Sequence, residues 1–376
     1  MRHIFFKNRC IKVVILQFLV KFAPSQIFIS MERTQTSTEA HTGVLLVNLG
    51  SPDSPAVSDV RKYLIEFLLD PRVIDIPYLN RQLLVRGPIA LGRSPKSAKE
   101  YEKLWTEDGS PLIIYGHEVR RLLQEKLGSE YKVVLAMRYQ SPSISSGIRE
   151  LKKSPLKKWI IIPLFPQQAS ATSGSVLEQV MEEVRKDWIF PEINMINQFY
   201  DRPDFINAWA QVAKGYDLHS YEKVIFSYHG LPQRQLFKAD PGHYCKANFE
   251  CCQNLHDQNR YCYSAQCFHN TRLLMEKWQL PEDKCITSFQ SRLGRSEWVK
   301  PYTEDVVRQL ARDGYKRVLI TSPAFIADCL ETIVELGMEY KELFLENGGE
   351  TFDMMESLNV HPAWIDVLNN MVRERA

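Results

Sequence analysis

The apolar run Val224-Ile225-Phe226 empties into Ser-Tyr-His-Gly-Leu-Pro, which carries the imidazole of His229 to the mouth of a strand and then turns the chain sharply. Ligands of open α/β sheets bind beyond the carboxyl ends of the strands, and histidine is the side chain most easily tuned near neutral pH. His229 is therefore either a satisfied loop histidine or a working base. Farther along, Glu331, Glu335 and Glu339 recur every four residues on a helix expected to begin near Asp328. Asp328 and Glu331 alone fit an N-terminal cap with an acidic first turn. Like charges four apart cost a helix stability, however, so three in a row point to a surface that handles cations or protons. An imidazole facing such a carboxylate makes a proton-abstracting or divalent-metal pair. A third group is made of sulfur: five of the eight cysteines, Cys245, Cys251, Cys252, Cys262 and Cys267, crowd into a polar, loop-like insertion at 240–270. Eight cysteines are too few for a disulfide scaffold in this length, whereas a thiol cluster suits zinc or iron–sulfur ligation.

The elements that must position these groups repeat one unit: apolar strand, polar loop, amphipathic helix. "GVLLVNLGSPDSPAVSDVRKYL", "KVVLAMRYQSPSISSGIRELKK" and "KWIIIPLFPQQASATSGSVLEQVMEEV" come first, and the pattern restarts after Pro203 with "KVIFSYHGLP", "KCITSFQSRLG" and "RVLITSPAFIADCLETIVELG". Near-continuous apolar strands alternating with helices predict parallel sheets covered on both faces. The expected fold is α/β, with two Rossmann-like, doubly wound domains at 41–203 and 204–376 and a cleft between them. Residues 76–105, rich in Pro and Arg, form an expected lip over that cleft. With no P-loop and no G-x-G-x-x-G, a nucleotide cofactor is not expected. A formal net charge of +2, with 24% charged residues and no isolated basic cluster, argues against nucleic acid as the main partner. Residues 1–40 are set apart from the fold. Their apolar stretch Val13–Val20 is too short to span a bilayer, and they read as an extension upstream of a start at Met31, a signal or anchor, or a disordered tail.

"FSYHGLP", "ADCLETIVELGMEY", "GVLLVNLGSPD", "FLLDPRVI", "MRYQSP", "FPQQASATSGS" and "ESLNVHP" together resemble the ferrochelatases, in the same order and over about residues 43–365. The resemblance implies a chelatase fold with a porphyrin cleft and insertion of Fe²⁺ into protoporphyrin IX, releasing two protons. It further implies that His229 accepts a pyrrole proton or holds the metal and that Glu331 is the catalytic glutamate. Glu335 and Glu339 match an acidic track for protons or incoming metal. Arg93, Tyr101, Arg138 and Tyr139 match positions lining the pocket, where cations meet propionates and a phenol covers the ring; Trp298 matches an aromatic wall residue. Taken without the resemblance, these last residues read as core or surface.

Two departures stand out. Many relatives have Asp-His-x-Glu-Thr where this chain has Asp328-Cys329-Leu330-Glu331-Thr332, leaving His229 as the principal nitrogen base. Some ferrochelatases carry a [2Fe–2S] cluster, which in the animal type has one ligand in the segment matching "QASATSGS" and three in a C-terminal tail. Here Ser170 stands at the former place and no cysteine follows Cys329. All four ligands are therefore expected from the insertion: Cys245, Cys252, Cys262 and Cys267, with Cys251 competing with Cys252. The expected location is cytoplasmic. The alternative functions are a coproporphyrin III ferrochelatase and a non-catalytic haem or iron carrier, and peripheral membrane contact is compatible with either.

Overall fold

The computed structural model describes residues 40–376 except 293 and 295. The expected N-terminal extension, 1–40, lies outside these residues apart from Ala40. Eight strands form two four-stranded parallel sheets. The first holds β1 (Thr42–Asn48), β2 (Tyr131–Met137), β3 (Lys158–Pro163) and β4 (Glu192–Met195) in the order β2-β1-β3-β4. The second holds β5 (Lys223–His229), β6 (Cys285–Gln290), β7 (Arg317–Thr321) and β8 (Thr351–Met354) in the order β6-β5-β7-β8. The same winding thus occurs twice, as the repeated units predict.

In each sheet the chain lays its second strand on one side of the first and its third strand on the other. The resulting crevice is where a doubly wound sheet offers a ligand site. In the second sheet it lies beyond the ends of β5 and β7, whose Phe226 and Thr321 are paired. His229 closes β5, and the chain leaving β7 leads to Glu331.

Among the described residues, twelve α-helices cover the sheets: α1 (Val57–Leu69), α2 (Tyr78–Leu84), α3 (Ser94–Leu104), α4 (Pro111–Leu127), α5 (Ile144–Leu151), α6 (Ser175–Val184), α7 (Pro203–Ala213), α8 (Gln233–Lys238), α9 (Tyr263–Trp278), α10 (Thr303–Arg312), α11 (Tyr340–Glu346) and α12 (Pro362–Arg373). Three further segments, Val85–Arg93, Ser170–Gly174 and Glu331–Glu339, wind with the wider π repeat, a rare geometry that collects at functional sites. The segment 76–105 is therefore α2, a π segment kinked at Gly87, and α3. The insertion is only half loop: α9 begins at Tyr263, directly after Cys262.

Two glycines in the quoted motifs have steric reasons. Gly50, leaving β1, has φ +113, and a Cβ there would come within 2.0 Å of the Tyr139 carbonyl oxygen. Gly230, directly after His229, would place a Cβ 2.9 Å from the Gln290 carbonyl oxygen and 3.1 Å from the Trp298 ring. The sharp turn at His-Gly-Leu-Pro is thus a close passage of β5 over the end of β6.

One core runs through both halves. It takes in Leu46 and Phe199 from the first and Phe226, Leu319 and Trp364 from the second. Helix α12, started by Pro362 and by His361 Nδ1 accepting from the Ala363 amide at 3.1 Å, packs back onto α4 and α7. Trp364 on it is fully buried, stacked on Phe199 (5.6 Å) and edge-on to Phe205 (6.2 Å). Trp364→Ala should lower stability by about 3–5 kcal/mol, read from denaturant midpoints. Trp364→Phe should lose much less, because the indole N–H has no partner to forfeit among the described residues. Equal losses would show that the polar edge, not the buried volume, matters.

Candidate active site

His229 is half-buried at the end of β5, its carbonyl oxygen accepting from the Tyr263 hydroxyl at 2.8 Å. Its Nδ1 lies 2.7 Å from the Gly230 carbonyl oxygen. A carbonyl can only accept, so this contact puts the proton on Nδ1 and leaves Nε2 with a lone pair. The Phe325 ring, from the loop after β7, lies 6.4 Å from the imidazole. Below the turn, Trp298 is nearly buried, and Val299 N–H donates to the Leu231 carbonyl at 2.9 Å.

The loop after β7 does not cap the acidic helix as Asp328 and Glu331 suggest. The Asp328 carboxylate accepts from Asn359 Nδ2 (2.7 Å) and the Ser357 amide (3.2 Å), and its own amide donates to Asn359 Oδ1 (2.8 Å). Asp328 is thus spent on anchoring the "ESLNVHP" loop. Thr332 takes over the local role, its Oγ1 accepting from the Cys329 amide at 2.9 Å and donating to the Cys329 carbonyl at 3.2 Å.

Along the π segment the three glutamates meet different surroundings. Glu331 is half-buried, and the Cys329 thiol donates to its Oε2 at 3.1 Å. Glu335 is held by the Ser291 amide (2.9 Å), the Ser291 hydroxyl and the Tyr340 hydroxyl (2.8 Å). Burial is the largest influence on the Glu335 carboxyl and pushes it above the usual range; the Ser291 and Tyr340 hydrogen bonds and His229 oppose this, and the charge of Glu331 adds to it. Glu335 therefore feels both His229 and Glu331. Glu339 is exposed, near Glu100, Lys103 and Lys96 of α3, and burial followed by Glu100 raises its carboxyl. A cavity of about 390 Å³ opens at this outer end, lined by Glu335, Glu339, Glu304, Asp305 and Tyr302 among others.

The first half of the chain closes over Glu331 with two tyrosines. Tyr101 of α3 and Tyr63 of α1 are buried edge to face (6.2 Å). Burial drives both phenols well above their ordinary range, and the charge of Glu331 adds to each. Tyr63 has no signal beyond being an apolar-face residue of "RKYLIEFLL". Arg93 is exposed at the end of its π segment, with no polar partner among the described residues.

Arg138 and Tyr139 do not present themselves as free pocket-lining groups. Arg138 pairs with Asp70 (2.8 Å), donates from Nε to Ser175 Oγ (2.6 Å) and stacks on Tyr139. Tyr139 has no exposed surface, and its hydroxyl donates to Asp70 Oδ2 at 2.9 Å. A phenol buried and committed in this way has no free face to cover a ring. Asp70, from "FLLDP", is the acceptor that organises this corner, unmarked in the sequence except by the proline after it. Arg234 (2.7 Å) and Lys238 of α8 grip Asp75, tying the second half of the chain to the first. Burial opposes ionisation there, yet Lys238 and Arg234 hold Asp75 below the usual carboxylate range.

Beyond α8, the structure brings four thiols together and leaves one out. Cys245 lies close enough to Cys251 and Cys262, and Cys262 to Cys252, for each thiol to shift the proton affinity of its neighbour. Cys252 Sγ lies 4.0 Å from Cys251 Sγ, closing the ring. Cys267 is fully buried on the core face of α9, beside Tyr263. The expected set Cys245, Cys252, Cys262 and Cys267 differs from this grouping in taking Cys267 in place of Cys251. The 3₁₀ turn Phe249–Cys252 turns both adjacent cysteines inward, whereas helix formation from Tyr263 carries Cys267 into the core. The hydrogen bond to Cys262, then burial, pushes the Cys245 thiol up. Among the described residues no group of three His, Cys, Asp or Glu is set around a single ion. The ring borders a cavity of about 650 Å³ walled by Leu236, Phe249 and Phe268.

A twice-repeated doubly wound sheet, with an imidazole and a row of glutamates at the second switch point, defines a chelatase-like α/β enzyme. The family profile of the ferrochelatases matches residues 41–376. The ferrochelatase of Legionella pneumophila (strain Paris) is 41% identical over 333 residues, covering 89% of this chain and 99% of its own. That of Coxiella burnetii (strain Dugway 5J108-111) is 38% identical over 334 residues, covering 88% of this chain and 93% of its own. Among solved structures, SirB from Bacillus subtilis with Fe³⁺ has a TM-score of 0.49 at 12% identity, over 89% of this chain and 95% of that one. The chain belongs to the ferrochelatase family, enzymes that insert iron into a porphyrin.

Proposed function

We propose that this enzyme inserts Fe²⁺ into protoporphyrin IX, giving protohaem and two protons. The reading rests on one observation: a histidine with its Nε2 lone pair unclaimed and a graded row of three glutamates meet at the second switch point. The porphyrin must lose two inner N–H protons while the metal sheds water. His229 Nε2 accepts a pyrrole proton, and Glu331 receives the metal and replaces part of its hydration. Glu335, whose affinity for protons is raised by burial, passes protons outward to Glu339 and the acidic cavity. Tyr101, Tyr63 and the Asp70–Arg138–Tyr139 corner shape the wall against which the macrocycle is bent; that strain is supplied by binding elsewhere on the ring. Arg93, exposed on the lip, is the cation placed to meet a propionate, and Trp298 backs the His229 turn. Metal insertion by the purified protein, with protoporphyrin and coproporphyrin III compared side by side, tests the substrate. A higher kcat/KM on coproporphyrin would overturn the choice.

Glu331→Gln keeps shape and removes charge. Insertion should fall by about 10²-fold or more, in keeping with the loss of one acid–base group. Stability should change by no more than the ~1 kcal/mol of a helix-terminus effect. An active but destabilised variant would assign Glu331 to the helix terminus alone.

The ring of Cys245, Cys251, Cys252 and Cys262 is suited to hold a [2Fe–2S] cluster. The four thiols supply anionic sulfur donors once deprotonated, with a largely apolar cavity beside Cys245, Cys251 and Cys252. Such a cluster would brace the insertion; none of the insertion steps passes through it. Tyr78, Leu79, Leu83 and Leu91 are exposed on the lip, 64%, 72%, 75% and 66% respectively, and support peripheral contact with a membrane from the cytoplasmic side. Among the described residues no helix is long and apolar enough to cross one.

A further inference from the structure

We propose that Cys329 is a positioning residue for Glu331: its thiol holds one carboxylate oxygen so that the other is presented to the incoming metal. The inference rests on Glu331 acting on the metal. The Cys329 Sγ–Glu331 Oε2 contact, 3.1 Å, is the sole polar contact of that carboxylate among the described residues. Glu335, four residues on, has three donors from Ser291 and Tyr340 and is held as a unit. Glu331 is thus fixed through one oxygen, as a carboxylate must be to receive a metal with the other.

The thiol is itself immobilised. The Cys329 amide donates to Thr332 Oγ1 (2.9 Å), while its carbonyl accepts from that hydroxyl (3.2 Å) and from the Ile333 amide (2.9 Å). Its side chain is buried, so it neither faces solvent nor swings away. A thiol is a weak donor, but the acceptor here is an anion, which strengthens the bond. Partners that orient a metal-binding side chain typically matter 10–100-fold in metal affinity or activity.

The test is steady-state insertion by full-length Cys329→Ala, Cys329→Ser and Cys329→Val, with KM for Fe²⁺ and for porphyrin measured separately and melting temperatures in parallel. Alanine and valine should each raise KM for Fe²⁺ by about tenfold or more, with KM for porphyrin unchanged. Serine, which keeps a donor, should recover to within about threefold of the parent. Valine nearly preserves volume, so it carries the test should alanine fail to fold. A valine variant matching serine in KM for Fe²⁺, or variants shifted only in melting temperature, would overturn the assignment. Glu331→Gln in the same assay separates the two ideas. If it turns over normally, the role of Glu331 falls and this inference with it; if it is inactive while the cysteine variants are normal, only the inference falls.

Discussion

His229→Ala should abolish metal insertion while porphyrin still binds. Removal of a general base alone takes away about 10²–10⁴-fold in rate. The fold should tolerate the change, because the imidazole is half-buried at the very end of β5 and, among the described residues, its ring hydrogen-bonds only the neighbouring Gly230 carbonyl. The backbone links that set the turn, Gly230 N–H to Gln290 O at 2.9 Å and Tyr263 Oη to His229 O at 2.8 Å, do not use the side chain. Stopped-time insertion assays together with porphyrin fluorescence titration separate the two effects. Near-normal turnover by the variant would remove His229 from the chemistry.

The second large effect belongs to the thiol ring and is all or none. Protein purified anaerobically should be reddish, with visible bands that bleach on reduction by dithionite. Serine at Cys245, Cys251, Cys252 or Cys262 should each remove the colour and the bound iron and sulfide. Serine at Cys267 should retain them, since that thiol is fully buried on the core face of α9. Binding must expel the thiol protons, so loading should release protons and weaken as pH falls. The variants should also melt earlier, because the ring ties the 3₁₀ turn at Cys251 and Cys252 to the start of α9. One zinc and no sulfide per chain would replace the cluster with a zinc site, and a coloured Cys251→Ser protein would return Cys267 to the ligand set.

The strands were plain in the sequence because both faces of each sheet are covered, which writes them as unbroken apolar runs such as Val224 to Phe226. His229 was legible for the same reason, as the polar residue at which such a run stops. The row of glutamates was legible from spacing, but what each does was not. Asp328 looks like a cap until its partners, Ser357 and Asn359, arrive 29 and 31 residues later. The π turns leave no period distinct from an α-helix over so few residues. Tyr63 and Asp70 act through contacts with segments far along the chain, such as Tyr101 and Arg138, which no local pattern encodes. The start of α9 was not legible because its stretch reads as polar loop, while tertiary burial makes it a helix.

Helix α12 has a consequence for how the protein is made. The first sheet is translated early, but part of its cover, Trp364 against Phe199 and Phe205, lies near the end of the described chain. At roughly 5–20 residues per second, a nascent chain exposes that apolar surface for many seconds before α12 leaves the ribosome. The first half therefore cannot finish folding while the second is being synthesised, although its strands are already complete. Chaperones that shield apolar surface should meet this protein on the ribosome, and they should let go only when its last helix has emerged.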